Sequence, residues 1–210
     1  MAVSDGCHAL LPTAIPTIKK WRLPSRDFLR RSGQIVNKYG AILVYDEIRT
    51  GFRLSMGGAQ KLYGVTPDLP VLGKAMANGY PISVVTGKKD VMMASASKLF
   101  ISSTFFPNSE GFVAVLKTIE ILERDNVLEG IWEKGKWFME KIQALIDKHD
   151  VGAKLTGVAP MFYITFKADE TVAYKTKRKD FYTQLIRKGI FFTPYHHAYI
   201  CHRHPQKDLD

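Results

Sequence analysis

The pattern of apolar and polar residues predicts alternating helices and strands. Over residues 25–39, apolar side chains recur among charged ones at helical spacing, and Gly40 follows as a stop. Residues 42–45 are a continuous apolar run, which is typical of a strand buried on both faces. The order helix, glycine, strand is one step of an alternating α/β arrangement.

The rest of the chain continues this pattern and indicates a second, smaller α/β unit at its end. Two helices are predicted over residues 108–124 and 127–149, and the second is long enough to link two domains. Further elements are predicted as strands over residues 82–86, 98–108, 160–166 and 190–195, and as a helix over 177–189 that stops at Gly189.

Composition places the chain among globular proteins. Its 210 residues are 46% apolar and 11% aromatic, enough for one large domain or two modest ones. No apolar run approaches the roughly 20 residues of a membrane span, and the first residues lack a signal-peptide pattern. Cys7 and Cys201 lie far apart without a metal-ligand spacing. We therefore expect a cytoplasmic protein that does not enter a membrane.

A net charge of +10 raises the alternative of a basic binding module. The densest basic run covers residues 175–179, and the other charges mix signs along predicted solvent-facing helix surfaces. Neither a ribonucleoprotein motif nor a zinc-finger spacing is present in the sequence. We expect no nucleic-acid partner.

Two residues suggest a specific chemistry. Asp46 ends the apolar run 42–45, and the carboxyl ends of strands are where open α/β sheets bind ligands. Lys74 stands between a glycine and small residues in LGKAMANGYP, which predicts a buried or half-buried ammonium with a lowered pKa, suited to a Schiff base. A lysine and an acid together suggest pyridoxal 5′-phosphate, whose pyridine nitrogen pairs with a carboxylate.

The segment LVYDEIRTGFRLSMGGAQKLYGVTPDLPVLGKAMANGYPISVVTGKKDVM resembles the core of glutamate-1-semialdehyde 2,1-aminomutase and related class III aminotransferases. The resemblance implies an α/β protein of fold type I, like aspartate aminotransferase. It implies that residues 1–125 are part of a large pyridoxal-phosphate-binding domain, residues 126–150 a linking helix, and residues 151–210 a small, truncated C-terminal domain.

The resemblance also assigns roles to residues. Asp46 matches the acid on the pyridine nitrogen, Ile48 the aliphatic residue against the ring, and Lys74 the lysine that carries the cofactor and moves a proton. Thr104 in SSTFFPN matches a threonine that contacts the phosphate of a neighbouring subunit, which implies a homodimer. This block departs from the family pattern, since Ser103 replaces a glycine and Ser109 a proline.

The roles of several other residues stay open at this point. Glu47 either takes part in the site itself or is only a supporting or turn residue. For Arg49 and Arg53, ion pairs at the protein surface are favoured over binding of an anionic substrate. The histidines at 196, 197, 202 and 204 have no spacing that indicates a metal, so we expect none.

The resemblance covers only the C-terminal part of such enzymes, which have about twice this length. The phosphate-binding turn and the aromatic residue that stacks on the ring belong to the half that this sequence lacks. We expect an enzyme acting on a small amino or keto substrate, either by a 1,2-amino shift that gives 5-aminolevulinate or by transamination, with the 210-residue chain inactive alone. The alternative is a non-catalytic fragment.

Overall fold

A computed structural model describes residues 9–10, 16–17, 20–21, 24–96, 98–100, 102, 104, 106, 108–167, 173–194 and 196–210. None of the described helices combines the length and apolarity needed to cross a bilayer. The helices and strands follow in this order: β1 Ala9–Leu10, β2 Pro16–Thr17, β3 Lys20–Trp21, α1 Arg26–Lys38, β4 Ile42–Asp46, α2 Gly58–Tyr63, β5 Leu69–Leu72, β6 Val84–Val85, α3 Lys89–Ala96, α4 Ser109–Arg124, α5 Val127–Lys148, β7 Ala153–Val158, β8 Met161–Phe166, α6 Ala173–Arg187 and β9 Ala198–Tyr199.

The chain divides into two compact units. The first contains Met1–Ile15 and Leu23–Leu128, and the second contains Pro16–Arg22 and Glu129–Asp210. The first unit is built on a sheet with the strand order β1-β4-β5-β6. β4 is parallel to both β1 and β5, whereas β6 is antiparallel to β5. Parallel pairing brings the carboxyl ends of β4 and β5 to one edge of the sheet.

Helix α1 packs on β4 as the apolar pattern predicts. Leu29 and Val36 on the helix form a buried cluster with Leu43 and Tyr45 on the strand. The helix begins after Ser25, whose hydroxyl accepts the amide of Phe28 at 3.1 Å, and this bond caps the first turn. The predicted helix over 25–39 and strand over 42–45 are therefore confirmed within one residue at each end.

The second unit packs helices and aromatic side chains around an antiparallel sheet of order β7-β8-β9. The ring of Phe162 on β8 lies 5.5 Å from that of Phe138 on α5 and 6.3 Å from that of Phe192. Gly135 brings α5 close to the turn between β7 and β8, since a Cβ atom there would lie 2.2 Å from the carbonyl oxygen of Ala159. The strand predicted over 160–166 and the stop at Gly189 are confirmed.

Three strand predictions differ from the structure. Residues 190–194 form no strand, and β9 pairs with β8 instead. Phe191 is 74% exposed, and Pro194 has no amide hydrogen to give to a sheet. The strand predicted over 82–86 shortens to β6. Of the strand predicted over 98–108, residues 101, 103, 105 and 107 lie outside the described residues, and the described ones are not in a strand.

Candidate active site

Asp46 is the last residue of β4 and lies directly opposite Val71 of β5. Its carboxylate is half-buried, and Oδ1 accepts the amide hydrogen of Ile48 at 3.0 Å. Among the described residues, Oδ2 accepts no hydrogen bond. One oxygen is therefore fixed by the turn that follows the strand, and the other is available to a cation at the sheet edge.

Lys74 follows β5 at the same edge of the sheet. It is three residues beyond Val71, the partner of Asp46, and it begins a 3₁₀ turn, Lys74–Met76. Its backbone φ is 47°, a left-handed value that costs a residue with a Cβ about 1 kcal/mol or more. The expected burial of Lys74 was wrong, because its side chain is exposed in the described chain. The lysine amine is therefore accessible to a ligand from solvent.

Ile48 lies beside the backbone that carries Lys74. A Cβ placed on Gly73 would be 3.8 Å from Cγ2 of Ile48 and 3.7 Å from Cβ of Ser83. These are ordinary van der Waals distances, so the aliphatic side chain of Ile48 packs against Gly73. The fold thus places Asp46, Ile48 and Lys74 at the carboxyl ends of β4 and β5, and their roles remain predictions.

Glu47, the next residue after Asp46, is completely buried, with 0% of its surface exposed. Its Oε2 accepts hydrogen bonds from the amide of Ala59 at 2.7 Å and from the hydroxyl of Thr50, and its Oε1 accepts the amide of Gln60 at 2.8 Å. These contacts tie the Glu47 side chain to the turn after β4 and to the start of α2.

The remaining candidates lie elsewhere or lack described contacts. Thr104 is an exposed residue in a turn, and its neighbours 103 and 105 lie outside the described residues. Arg49 and Arg53 are half-buried, and both take part in interactions within the chain. Among the described residues, no group of three histidines, cysteines or acids is arranged to hold a metal ion.

Asp68 is a buried acid whose importance the sequence pattern did not reveal, because its Thr-Pro-Asp context indicates only a turn. Its Oδ2 accepts the amide of Leu43 at 2.7 Å, and its Oδ1 pairs with Nζ of Lys88 at 2.7 Å. Burial raises the pKa of this carboxyl, but the Lys88 hydrogen bond and the Leu43 amide outweigh it and hold the pKa below its usual value. Asp68 therefore joins the start of β5 to β4.

Tyr45 precedes Asp46, and its side chain lies on the opposite face of β4, with α1. Its hydroxyl is buried and makes no hydrogen bond with any residue that the structure describes. Burial, and then the negative charge of Glu47, raise the pKa of this phenol to about 12. Tyr45 is therefore neutral at physiological pH and belongs to the core beneath the site.

The described residues fit parts of pyridoxal phosphate. A carboxylate with a free oxygen suits the protonated ring nitrogen, an aliphatic side chain suits the flat ring face, and an exposed lysine amine suits the aldehyde. Asp46 ends β4, Ile48 lies in the turn that follows it, and Lys74 lies in the turn after the neighbouring parallel strand β5. The chemistry of these three residues therefore fits the ring and the covalent link of this cofactor.

Comparisons with known proteins agree with this geometry. The profile of the family described as Aminotransferase class-III matches residues 21–206. A 3-aminobutyryl-CoA aminotransferase of Cloacimonas acidaminovorans is 49% identical over 200 residues, which are 95% of this chain and 48% of that protein. The glutamate-1-semialdehyde 2,1-aminomutase of Sulfolobus acidocaldarius is 35% identical over 89% of this chain and 47% of its own length.

The fold is also that of solved transaminase-like structures. The PLP internal aldimine form of the FumI protein of Sphingopyxis sp. MTA144 superposes with a TM-score of 0.86, at 27% identity over 96% of this chain and 48% of that one. The chain thus spans about half the length of the relatives it matches. It belongs to the class III aminotransferase family, whose members are pyridoxal-phosphate enzymes of fold type I.

Proposed function

We propose that this chain is the lysine-bearing part of a pyridoxal-phosphate-dependent class III aminotransferase. The observation that carries the proposal is the register of β4 with β5, which sets Asp46 opposite Val71, three residues before Lys74. Family membership supports the same residues. In this proposal Lys74 bonds the cofactor, Asp46 holds its ring nitrogen and Ile48 packs against the ring.

Each residue has a defined chemical task. Oδ2 of Asp46 would accept a hydrogen bond from the protonated ring nitrogen, and the negative charge of the carboxylate would keep that nitrogen protonated. Bound pyridoxal phosphate supplies an electron sink for the bond that breaks at the substrate's α-carbon. Nζ of Lys74 would bond the cofactor aldehyde in the resting site and, as a free amine, would act as the base and acid that moves a proton at the substrate's α-carbon.

The reaction we propose is transamination between a small amino donor and a keto acceptor. The 49% identity to a 3-aminobutyryl-CoA aminotransferase supports this reaction. The aminomutase reaction is the second candidate, supported by aminomutases at 31% and 35% identity. Thr104 would contact the cofactor phosphate of a second subunit, so the proposed assembly is a homodimer.

We further propose that the 210-residue chain has no turnover by itself. Asp46, Ile48 and Lys74 supply the acid, one ring face and the covalent link. Since Lys74 is exposed in the described chain, water has free access to that link. The chain spans about half of its relatives, so a non-catalytic fragment is the corresponding alternative.

The test is to mix the chain with pyridoxal phosphate, reduce it with borohydride and find the labelled lysine by peptide mapping. Reduction turns any lysine–cofactor link into a stable amine. We expect Lys74 to be labelled ahead of Lys61 and Lys148, which are also exposed. Label spread evenly over these lysines would contradict the role of Lys74.

A parallel assay measures amine exchange with glutamate and conversion of glutamate-1-semialdehyde. We expect selective labelling of Lys74 without turnover in the chain alone. Turnover comparable to that of a full-length relative would refute the proposal that the chain is inactive, and would leave its family unchanged. Conversion of the semialdehyde without amine exchange would favour the aminomutase.

A further inference from the structure

Glu47 connects three segments around the candidate site. Its backbone amide donates to the carbonyl oxygen of Val71 at 2.8 Å, next to the end of β5. Its carbonyl oxygen accepts the amide of Gly51 at 2.8 Å, which closes the turn after β4. Its carboxylate accepts the amides at the start of α2, twelve and thirteen residues along the chain.

The glycines that follow Glu47 in the sequence leave room for this carboxylate. A Cβ on Gly58 would lie 2.5 Å from Oε2 of Glu47, and a Cβ on Gly51 would lie 2.9 Å from the Glu47 carbonyl oxygen. The backbone of Gly58 is also left-handed, with φ of 68°. The blocks DEIRTG and GGAQ therefore pack against each other, although they are separate in sequence.

The packing around Glu47 determines where its two neighbours in sequence, Asp46 and Ile48, lie. Side chains of successive strand residues face opposite sides of a sheet, so Asp46 at the end of β4 and the buried Glu47 that follows it face opposite sides. The backbone amide of Ile48 donates a hydrogen bond to Oδ1 of Asp46. Ile48 also lies within the turn that the hydrogen bond from Gly51 to the Glu47 carbonyl oxygen closes. Movement of Glu47 would therefore move Asp46 and Ile48 relative to Lys74.

We propose that Glu47 is a positioning residue that holds Asp46 and Ile48 against the Lys74 turn, an inference that rests on the proposed function. Both carboxylate oxygens accept backbone amides, so no rotamer of a glutamine satisfies them. An amide nitrogen in place of either oxygen would face an N–H donor. Only a carboxylate satisfies all of these donors, which separates Glu47 from a residue needed merely for its volume.

The test compares Glu47→Gln with Val36→Ala. Val36→Ala destabilises the first compact unit by removing apolar contacts in the α1–β4 cluster. Hydrogen exchange is measured at the amides of residues 59 and 60, below the melting temperature of both variants. Borohydride labelling by pyridoxal phosphate is measured at Lys74 relative to Lys148 in the second unit. The first measurement needs no cofactor.

In Glu47→Gln we expect amide exchange at residues 59 and 60 to rise about tenfold or more and relative labelling of Lys74 to fall about tenfold. In Val36→Ala we expect neither the exchange rate at residues 59 and 60 nor the relative labelling of Lys74 to change by more than about twofold. Equal changes in the two variants would show that Glu47 acts on stability alone and would overturn the proposal. Unchanged exchange in Glu47→Gln would overturn it as well.

A second pair of variants keeps the proposal testable if Glu47→Gln does not fold. Thr50 is buried and donates its hydroxyl to Glu47. Thr50→Ser keeps that donor and should match the wild type in both measurements. Thr50→Val removes the hydroxyl donor at similar volume. It should raise exchange at residues 59 and 60 and lower the relative labelling of Lys74, each about threefold. Identical behaviour of the two Thr50 variants would contradict the proposal.

If Lys74 of the wild type is not labelled preferentially, the proposed function fails. The exchange measurement still decides whether Glu47 holds this segment, so the two failures are distinguishable.

Discussion

Replacing Gly58 by alanine should destabilise the first unit much more than the same change at Gly40. The two glycines have nearly the same backbone conformation, with φ of 68° and 65°. A Cβ at Gly40 meets no atom within 4 Å, whereas a Cβ at Gly58 would lie 2.5 Å from Oε2 of Glu47. Gly40→Ala therefore measures the backbone cost alone, and Gly58→Ala adds the displacement of a buried carboxylate.

The magnitudes follow from these contacts. A left-handed alanine costs about 1 kcal/mol, which is the expected loss for Gly40→Ala. Displacing Glu47 weakens its bonds from the amides of Ala59 and Gln60. Hydrogen bonds to a buried charge contribute about 1.5–3 kcal/mol each, so weakening both adds about 2–3 kcal/mol. We expect Gly58→Ala to lower the free energy of unfolding by about 3–4 kcal/mol.

Hydrogen exchange of the β4 amides is the suitable assay, because it reports on the first unit separately. Tryptophan fluorescence would not, since Trp21, Trp132 and Trp137 all belong to the second unit. The expected difference between the variants corresponds to about a 30- to 150-fold difference in exchange rate. Losses in Gly58→Ala and Gly40→Ala that agree within about 1 kcal/mol would refute the packing of Gly58 on Glu47.

The remaining predictions concern charge, burial and association. Asp46→Asn should keep the melting temperature and slow glutamate amine exchange about a hundredfold in any assembly that turns over, and near-normal exchange would remove its role at the ring nitrogen. Tyr45→Phe removes a buried hydroxyl without a partner and should stabilise the chain by up to about 1 kcal/mol in urea unfolding at pH 8. Because the pKa of Tyr45 is raised to about 12 in the folded chain, the free energy of unfolding should fall as the pH rises from the ordinary value of 10.0 toward 12. Tyr45→Phe should abolish that alkaline loss of stability. The lowered pKa of Asp68 gives the opposite sign: its pairing with Lys88 stabilises above the unfolded pKa of about 3.9 and is lost as the pH falls through the folded value, so Asp68→Asn should flatten acid unfolding followed by circular dichroism. Leu116 on α4 is 70% exposed, so Leu116→Lys should reduce concentration-dependent association in light scattering, and an unchanged mass distribution would contradict this.

Much of the local structure could be predicted from the sequence because its causes lie within a few residues of one another. Ser25 caps α1 through the amide three residues on, and Gly40 ends the helix in a left-handed conformation that suits a glycine. The apolar run that forms β4 needs no knowledge of its partners. Residues 190–195 were misassigned because whether an apolar segment joins a sheet depends on which strand edge is available.

The candidate site divides in the same way. The sequence by itself predicted that Asp46 and Lys74 carry the chemistry, since a carboxylate and an amine have their acid–base properties in any fold, and its motifs identified the family. Only the tertiary structure decided that Asp46 stands opposite Val71, that Lys74 is exposed and that Glu47 is buried on the amides of Ala59 and Gln60. These relations join residues that are distant along the chain, so they are set by strand register and by the return of the chain.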